Sequence, residues 1–340
     1  MSLSSILTGT KEKDKEIQSI LKSIIPPRKV FNTISGLSPF SAQYKLYVPY
    51  SLSSPFNSRV VGTAFDYLAR MIIASIVDKN KSTAFSHLAA YSGLINVERN
   101  IKSKKVISEL EAKYIDSLVA FLKLIYINKL DVKLKKSDLN KIEWVAYKEF
   151  LKCPKGLEWN ELYLGAYYFA KLELVYRSGG LLPSDIKKSL MDDPDTEILL
   201  ELEKLCNVFK EKFIIPQILT SDSTVIYNPS FGSSSFELGG ADADVFVDGT
   251  LYDFKTTKQG GYNWRDVAQL TCYYLISCSE NAKEESTSSL YGEDITRIAF
   301  YKARFGEIEF YDIKFTNQQK EKALNELKQA FEMQHVYFVE

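Results

Sequence analysis

The sequence has no apolar run approaching the roughly 18 residues that a bilayer-spanning helix needs, so no membrane partner is expected. Histidine occurs only at His87 and His335, and the four cysteines, Cys153, Cys206, Cys272 and Cys278, include no C-x-x-C pair. Zinc sites and disulfide frameworks need clustered ligands at short spacings, so neither is indicated, and the thiols are expected to be buried and free in a reducing compartment. A G-x-x-x-x-G-K-[ST] phosphate loop is absent, which argues against an ATP-driven motor in this chain. No internal repeat is evident. Net charge is missing too: Lys+Arg and Asp+Glu both total 43, which removes any general attraction to nucleic acid. The opening stretch, MSLSSILTGTKEKDKEIQSI, is interrupted by charges and lacks a signal-peptide core, so a soluble cytoplasmic protein is expected.

What is present is ample core material, with 45% hydrophobic residues in 340. Residues 1–58 read as an arm: an amphipathic helix over Lys15–Ile24, stopped by Pro26 and Pro27, then a Ser, Pro and Tyr-rich stretch. A first core helix lies within 59–80, where Val61, Ala64, Phe65, Leu68, Ile72 and Ile76 follow the helical period and Asn57 or Ser58 is the expected cap. Residues 81–212 read as further helices, at Lys105–Asn128, Asp138–Leu151, Trp159–Ser178 and Asp195–Lys212. Between Arg99 and Lys141 eleven basic residues face five acidic ones, including Lys102, Lys104 and Lys105 and then Lys133, Lys135 and Lys136. Such a run is either a phosphate-tracking surface or a solvated helix face with a lysine-rich loop. Residues 213–340 change to strands and turns from about Val225. A helix follows over Asn263–Ser277, then alternating runs at Thr296–Ala303 and Glu307–Ile313 and a closing helix over Asn317–Met333.

The chemistry concentrates in GGADADVFVDGTLYDFKTTK, residues 239–258. Asp248-Gly249 is a strong signal for a two-residue hairpin turn, which needs positive φ at both central positions. Strand Asp242–Val247 should then pair with Thr250–Thr256, placing Val247 against Thr250, Asp244 against Asp253 and Asp242 against Lys255, all four polar residues on one face. Directly opposed like charges destabilise a sheet pair unless something positive lies between them. A divalent cation would resolve the Asp244–Asp253 conflict, and two carboxylates with water and phosphate oxygens suit Mg²⁺ or Mn²⁺. Lys255 on the same face would orient or help deprotonate an attacking water and stabilise phosphate charge. The bland alternative is an acidic outer face on which Lys255 merely neutralises Asp242.

This segment resembles the signature of the PD-(D/E)xK nucleases, most closely their RecB-like exonuclease branch. The resemblance implies an α/β (α+β) fold, a restriction-endonuclease-like core with a small mixed sheet flanked by helices. It would make residues 1–340 a single nuclease domain, with 81–212 a helical insertion and 213–340 the catalytic core. It further implies Asp244 and Asp253 as metal ligands with the backbone carbonyl of Phe254, and Lys255 as the catalytic lysine; Asp242 is a second candidate for the first acid. The branch carries a Q-x-x-x-Y helix after the hairpin, matched by Gln269 and Tyr273, which share a helical face with Arg265. Arg265, Thr256 and Lys258 are the expected nucleic-acid contacts. Upstream the branch opens a helix with Gly-Thr-x-x-His, where this chain has Gly62-Thr-Ala-Phe-Asp66. Asp66 is therefore either a metal ligand or one half of an i,i+4 ion pair with Arg70. The cysteines do not follow the four-cysteine pattern of some relatives, so no iron–sulfur cluster is expected.

The leading expectation is a Mg²⁺- or Mn²⁺-dependent deoxyribonuclease acting on DNA, alone, as a homo-oligomer or within a larger DNA-processing complex. A non-catalytic nucleic-acid-binding or scaffold module of the same fold is the alternative. A sugar or nucleotide enzyme using an acid pair for acid–base work is a third.

Overall fold

A computed structural model describes residues 3–52, 54–79, 81–86, 88–126, 136, 139–152, 156–179, 190–237 and 243–335. In chain order the elements are α1 (Leu3–Thr8), α2 (Glu12–Ile24), β1 (Asn32–Thr33), α3 (Pro55–Ile76), α4 (Ala89–Asn100), α5 (Lys104–Tyr126), α6 (Lys141–Lys152), α7 (Trp159–Arg177), α8 (Thr196–Lys212), β2 (Val225–Tyr227), α9 (Ser234–Glu237), β3 (Val245–Val247), β4 (Thr250–Lys255), α10 (Trp264–Asn281), β5 (Arg297–Lys302), β6 (Glu307–Asp312) and α11 (Asn317–His335). The class is mixed α/β. Among the described residues no helix is long and apolar enough to cross a membrane.

The chain forms two compact units. One joins Met1–Lys45 to Thr224–Glu340; the other is Leu46–Ser223. The expected arm thus divides at Lys45: its first part packs with the sheet, and the remainder belongs with the helices, as does the whole of α3.

The sheet unit holds six strands in the order β1-β6-β5-β4-β3-β2, antiparallel except for the β4–β5 pair. Parallel neighbours need a crossover, and α10 supplies it between β4 and β5. Phe246, Leu251, Ile298, Phe300 and Tyr311 project from one sheet face into a core shared with Val267, Ala268 and Leu275 of α10 and with Leu3, Ile6, Ile17 and Leu21 of α1 and α2. Asn263 caps α10, its Oδ1 accepting from the Arg265 amide at 3.2 Å.

The helical unit packs α3, α4, α5 and α8 around α7. Helix α3 begins a turn earlier than expected, because Ser54 accepts from the Phe56 amide at 3.2 Å and Pro55 occupies the first helical position, where its missing N–H costs nothing. At α6 Asn140 takes the cap, accepting from the amides of Ile142 and Glu143 at 3.0 and 2.9 Å, so the helix starts after the expected Asp138. In the lysine-rich run Lys102, Lys104 and Lys105 are exposed, whereas Lys113 and Lys123 pair with Asp193 and Glu161, each at 3.1 Å. Lys133 and Lys135 lie outside the described residues.

Candidate active site

Asp248 and Gly249 adopt φ of 43° and 85°, the two positive values that the hairpin turn requires. Asp248 is held further by its carboxylate, which accepts from the Thr224 amide at 2.8 Å. The observed register is Val247↔Thr250, Phe246↔Leu251 and Val245↔Tyr252. Extended one step, that register would set Asp244 opposite Asp253. The strand itself does not reach that far: β3 begins at Val245, not at Asp242, and Asp242 lies outside the described residues together with Gly239 and Gly240. The chain bends at Asp244, whose amide donates to the Tyr252 carbonyl at 3.2 Å and whose carbonyl accepts from Asn228 at 3.0 Å. Its carboxylate accepts from the Phe254 amide and so takes a place that a β3 carbonyl would fill in a continued ladder.

On β4, Leu251, Asp253 and Lys255 alternate onto the core face. Asp253 is buried, and the Lys255 ammonium lies 2.6 Å from its Oδ2. The Lys255 ammonium is the partner of that buried oxygen, and no other donor reaches Oδ2 among the described residues. Burial raises the Asp253 pKa against the pull of Lys255. For Lys255, burial works to lower the pKa, but Asp253, Asp266 and Asp244 together hold it well above the ordinary lysine range.

Two partners come from elements distant in sequence. Asp266, in the first turn of α10, places Oδ1 3.6 Å from the Lys255 Nζ. Lys302 of β5 stands in register with Lys255, and Phe300 with Asp253. Lys302 is only 2% exposed and lies 3.5 Å from Oε2 of Glu309, itself fully buried. The other Glu309 oxygen accepts from the Phe40 amide at 2.6 Å and the Tyr44 hydroxyl at 2.8 Å, tying the N-terminal segment to the sheet. Lys255, Lys302, Asp266, Gln259, Asn263 and Trp264 line a pocket of about 480 Å³.

Gln269 and Tyr273 meet on one face of α10, the amide donating to the hydroxyl at 2.7 Å, and the Tyr273 ring stacks on Phe231 with centroids 5.2 Å apart. Arg265 leaves that stripe. Its Nε donates to the Leu7 carbonyl at 2.7 Å, one of the last carbonyls of α1, which have no partner within their own helix. The Thr256 carbonyl accepts from Nε of the buried Arg304 at 2.6 Å, while Lys258 is exposed. Asp66 sits half-buried on α3 in the other compact unit, on the side of buried Ala69 and Ile73, and the Arg70 guanidinium lies over the Tyr67 ring at 5.5 Å. Cys206 and Cys272 are buried free thiols, each pushed up to about 12 by burial, and Cys278 is half-buried; Cys153 lies outside the described residues.

The sequence reading missed Asp266, Lys302 and Glu309. Asp266 was open to detection, since it precedes Gln269 by three residues and Tyr273 by seven. Lys302 shares its parity with Ile298 and Phe300, so a charge on the core face of a strand was the signal there. Glu309, in the same phase as Tyr311, carried the same one.

No group of three or more His, Cys, Asp and Glu side chains among the described residues forms a metal cage by itself. The donor chemistry nevertheless fits a hard cation: Asp253 offers a buried carboxylate whose Oδ2 is met by a single ammonium, and the Asp244 carboxylate approaches the same stretch of β4. In comparisons with family models, with curated proteins and with solved structures, nothing matches this chain.

Proposed function

We propose that this chain is a metal-dependent nuclease that hydrolyses DNA phosphodiester bonds, its sheet unit a restriction-endonuclease-like core of the PD-(D/E)xK type. The observation that carries the reading is Asp253: a buried carboxylate whose Oδ2 is met by the Lys255 ammonium two residues on, in a strand whose Phe254 amide donates to the Asp244 carboxylate across a tight hairpin. Burying a carboxylate costs free energy, and a site that concentrates such conflicts is where function is expected. Asp253 and Asp244 would hold Mg²⁺ or Mn²⁺ with the Phe254 carbonyl. When bound, the cation supplies Lewis-acid polarisation of a phosphate and a nucleophilic water at neutral pH.

The residues of the chain supply the rest. The Lys255 ammonium, charged in this setting, aligns the attacking water and offsets negative charge developing on the phosphate, a task for a cation rather than a base. Asp266 restrains that ammonium from the side of α10. Gln269 and Tyr273 present a hydrogen-bonding edge on the helix that follows the hairpin. The choice of DNA over RNA rests on the family resemblance.

A second reading, a nucleic-acid-binding module without cleavage, draws on the same ion pair, since Lys255 already neutralises Asp253 without a metal. Plasmid and linear single- and double-stranded DNA, incubated with Mg²⁺, Mn²⁺ or EDTA beside Lys255→Ala, separate the two. Cleavage is expected with metal and wild type only. Cleavage that persists in EDTA or in Lys255→Ala overturns the mechanism, and tight binding without cleavage favours the module.

A further inference from the structure

The acid-x-Lys strand accounts for Lys255 but not for the second lysine beside it. Lys302 stands directly across the parallel β4–β5 pair, so the two stems leave the sheet side by side, with strands about 4.8 Å apart. Neighbouring like charges on a sheet repel. Lys302 also bears a nearly complete loss of hydration, being 2% exposed, and its ion pair with Glu309 is long at 3.5 Å. A lysine whose only task was to neutralise Glu309 would not need to reach the pocket, because Glu309 already receives the Phe40 amide and the Tyr44 hydroxyl. Lys302 does reach it, lining the same wall as Lys255.

The surroundings favour an anion. The pocket adjoins the Asn263-capped start of α10, where helix amides carry partial positive charge, and Lys22 and Arg265 flank its Trp264 wall at 4.4 and 5.3 Å from the ring centre. Asp266 is the acid lining the pocket, and it lies beside Lys255.

We propose that Lys302 is a second phosphate-binding residue. Its ammonium, aimed by Glu309 from behind, contacts a backbone phosphate of the bound strand next to the one held by Lys255. The inference takes its ligand from the nuclease reading, but its test does not require cleavage. The measurement is binding of a fluorescently labelled single-stranded oligonucleotide in EDTA across a series of salt concentrations. Removing one phosphate contact lowers the slope of log affinity against log salt by about 0.7. Lys302→Gln is expected to show that loss and to weaken binding several-fold at low salt. Glu309→Gln keeps the amine and is expected to keep the wild-type slope. If burial of an unpaired Glu309 unfolds Lys302→Gln, the double variant Lys302→Gln/Glu309→Gln restores charge balance and is expected to show the same lowered slope.

A wild-type slope in a folded Lys302 variant overturns the proposal and leaves the lysine as a counter-ion of Glu309. Such a result alongside metal-dependent cleavage by the wild type counts against Lys302 alone. A lowered slope in a wild-type background that never cleaves supports the phosphate contact while defeating the nuclease reading. Absence of oligonucleotide binding by the wild type overturns the phosphate contact and leaves the nuclease reading to the cleavage assay.

Discussion

Gly93→Ala sets two effects of known sign against each other. Gly93 lies in α4, where alanine is the better helix former by about 1 kcal/mol. A Cβ built on it would stand 1.9 Å from the Leu172 carbonyl oxygen and 2.5 Å from the carbonyl carbon, both backbone atoms of α7. Ordinary carbon contacts lie near 3.5 Å, so the helices must separate by more than about 1 Å, since no side-chain rotation relieves a clash with backbone. Ala90, Leu94 and Val97 of α4 are fully buried, and a gap of that size forfeits about a quarter to a half of each contact they make across the opening. Overpacking of this kind costs about 1–3 kcal/mol, and lost contacts add to it. We expect a net destabilisation of about 2 kcal/mol after the propensity gain, read as a lower urea midpoint by circular dichroism. Gly165→Ala, whose Cβ would meet Ser117 Cβ at 3.0 Å, should cost less. An unchanged or raised midpoint for Gly93→Ala would refute the close approach of α4 and α7.

Two further predictions concern buried charge. Burial outweighs the attraction of Asp192 and lowers the Lys171 pKa to about 8, while its ammonium donates to the Asp192 carbonyl at 2.9 Å beneath the Tyr167 and Tyr168 rings. The unfolded chain therefore binds the extra proton more tightly, and this group's contribution to stability rises between about pH 8 and pH 10, by about 2–3 kcal/mol. The difference between wild type and Lys171→Met in denaturation midpoint should follow that window; a pH-independent difference would refute the shift. For Glu280, burial favours the neutral acid, but Lys283, Ser234 and Ser286 outweigh it and hold the pKa at about 2. Its stabilisation is complete above the unfolded glutamate value and fades as pH falls through about 4 toward 2, amounting to about 3 kcal/mol. Glu280→Gln should lower the thermal midpoint at neutral pH and flatten the acid limb, and an unaltered acid limb would contradict the depressed value.

Much of the fold was legible because its signals are local. The helical period over 60–77 and the turn chemistry of Asp248-Gly249 act within a few residues, and they locate α3 and the β3–β4 pair. Ends were less legible: Pro55 moves the start of α3, and the Asp244 carboxylate, by accepting from the Phe254 amide, ends β3 at Val245. Helix α4 was hard to place because no side chain caps it at Leu88 and its glycine lowers its propensity.

The sequence by itself determined the hairpin register, and with it the shared face of Asp253 and Lys255 and the return of Asp244 to the same end of β4, because a two-residue turn leaves strand pairing no freedom and alternation sets the face. It also determined that Gln269 and Tyr273 share a side of α10. Tertiary structure alone decided which charges surround them. Lys302 meets Lys255 through a parallel pairing across the α10 crossover, Glu309 joins from β6, and Tyr44 and Phe40 arrive from more than 260 positions away. Such contacts follow from how separate elements pack, and no local period or turn encodes them.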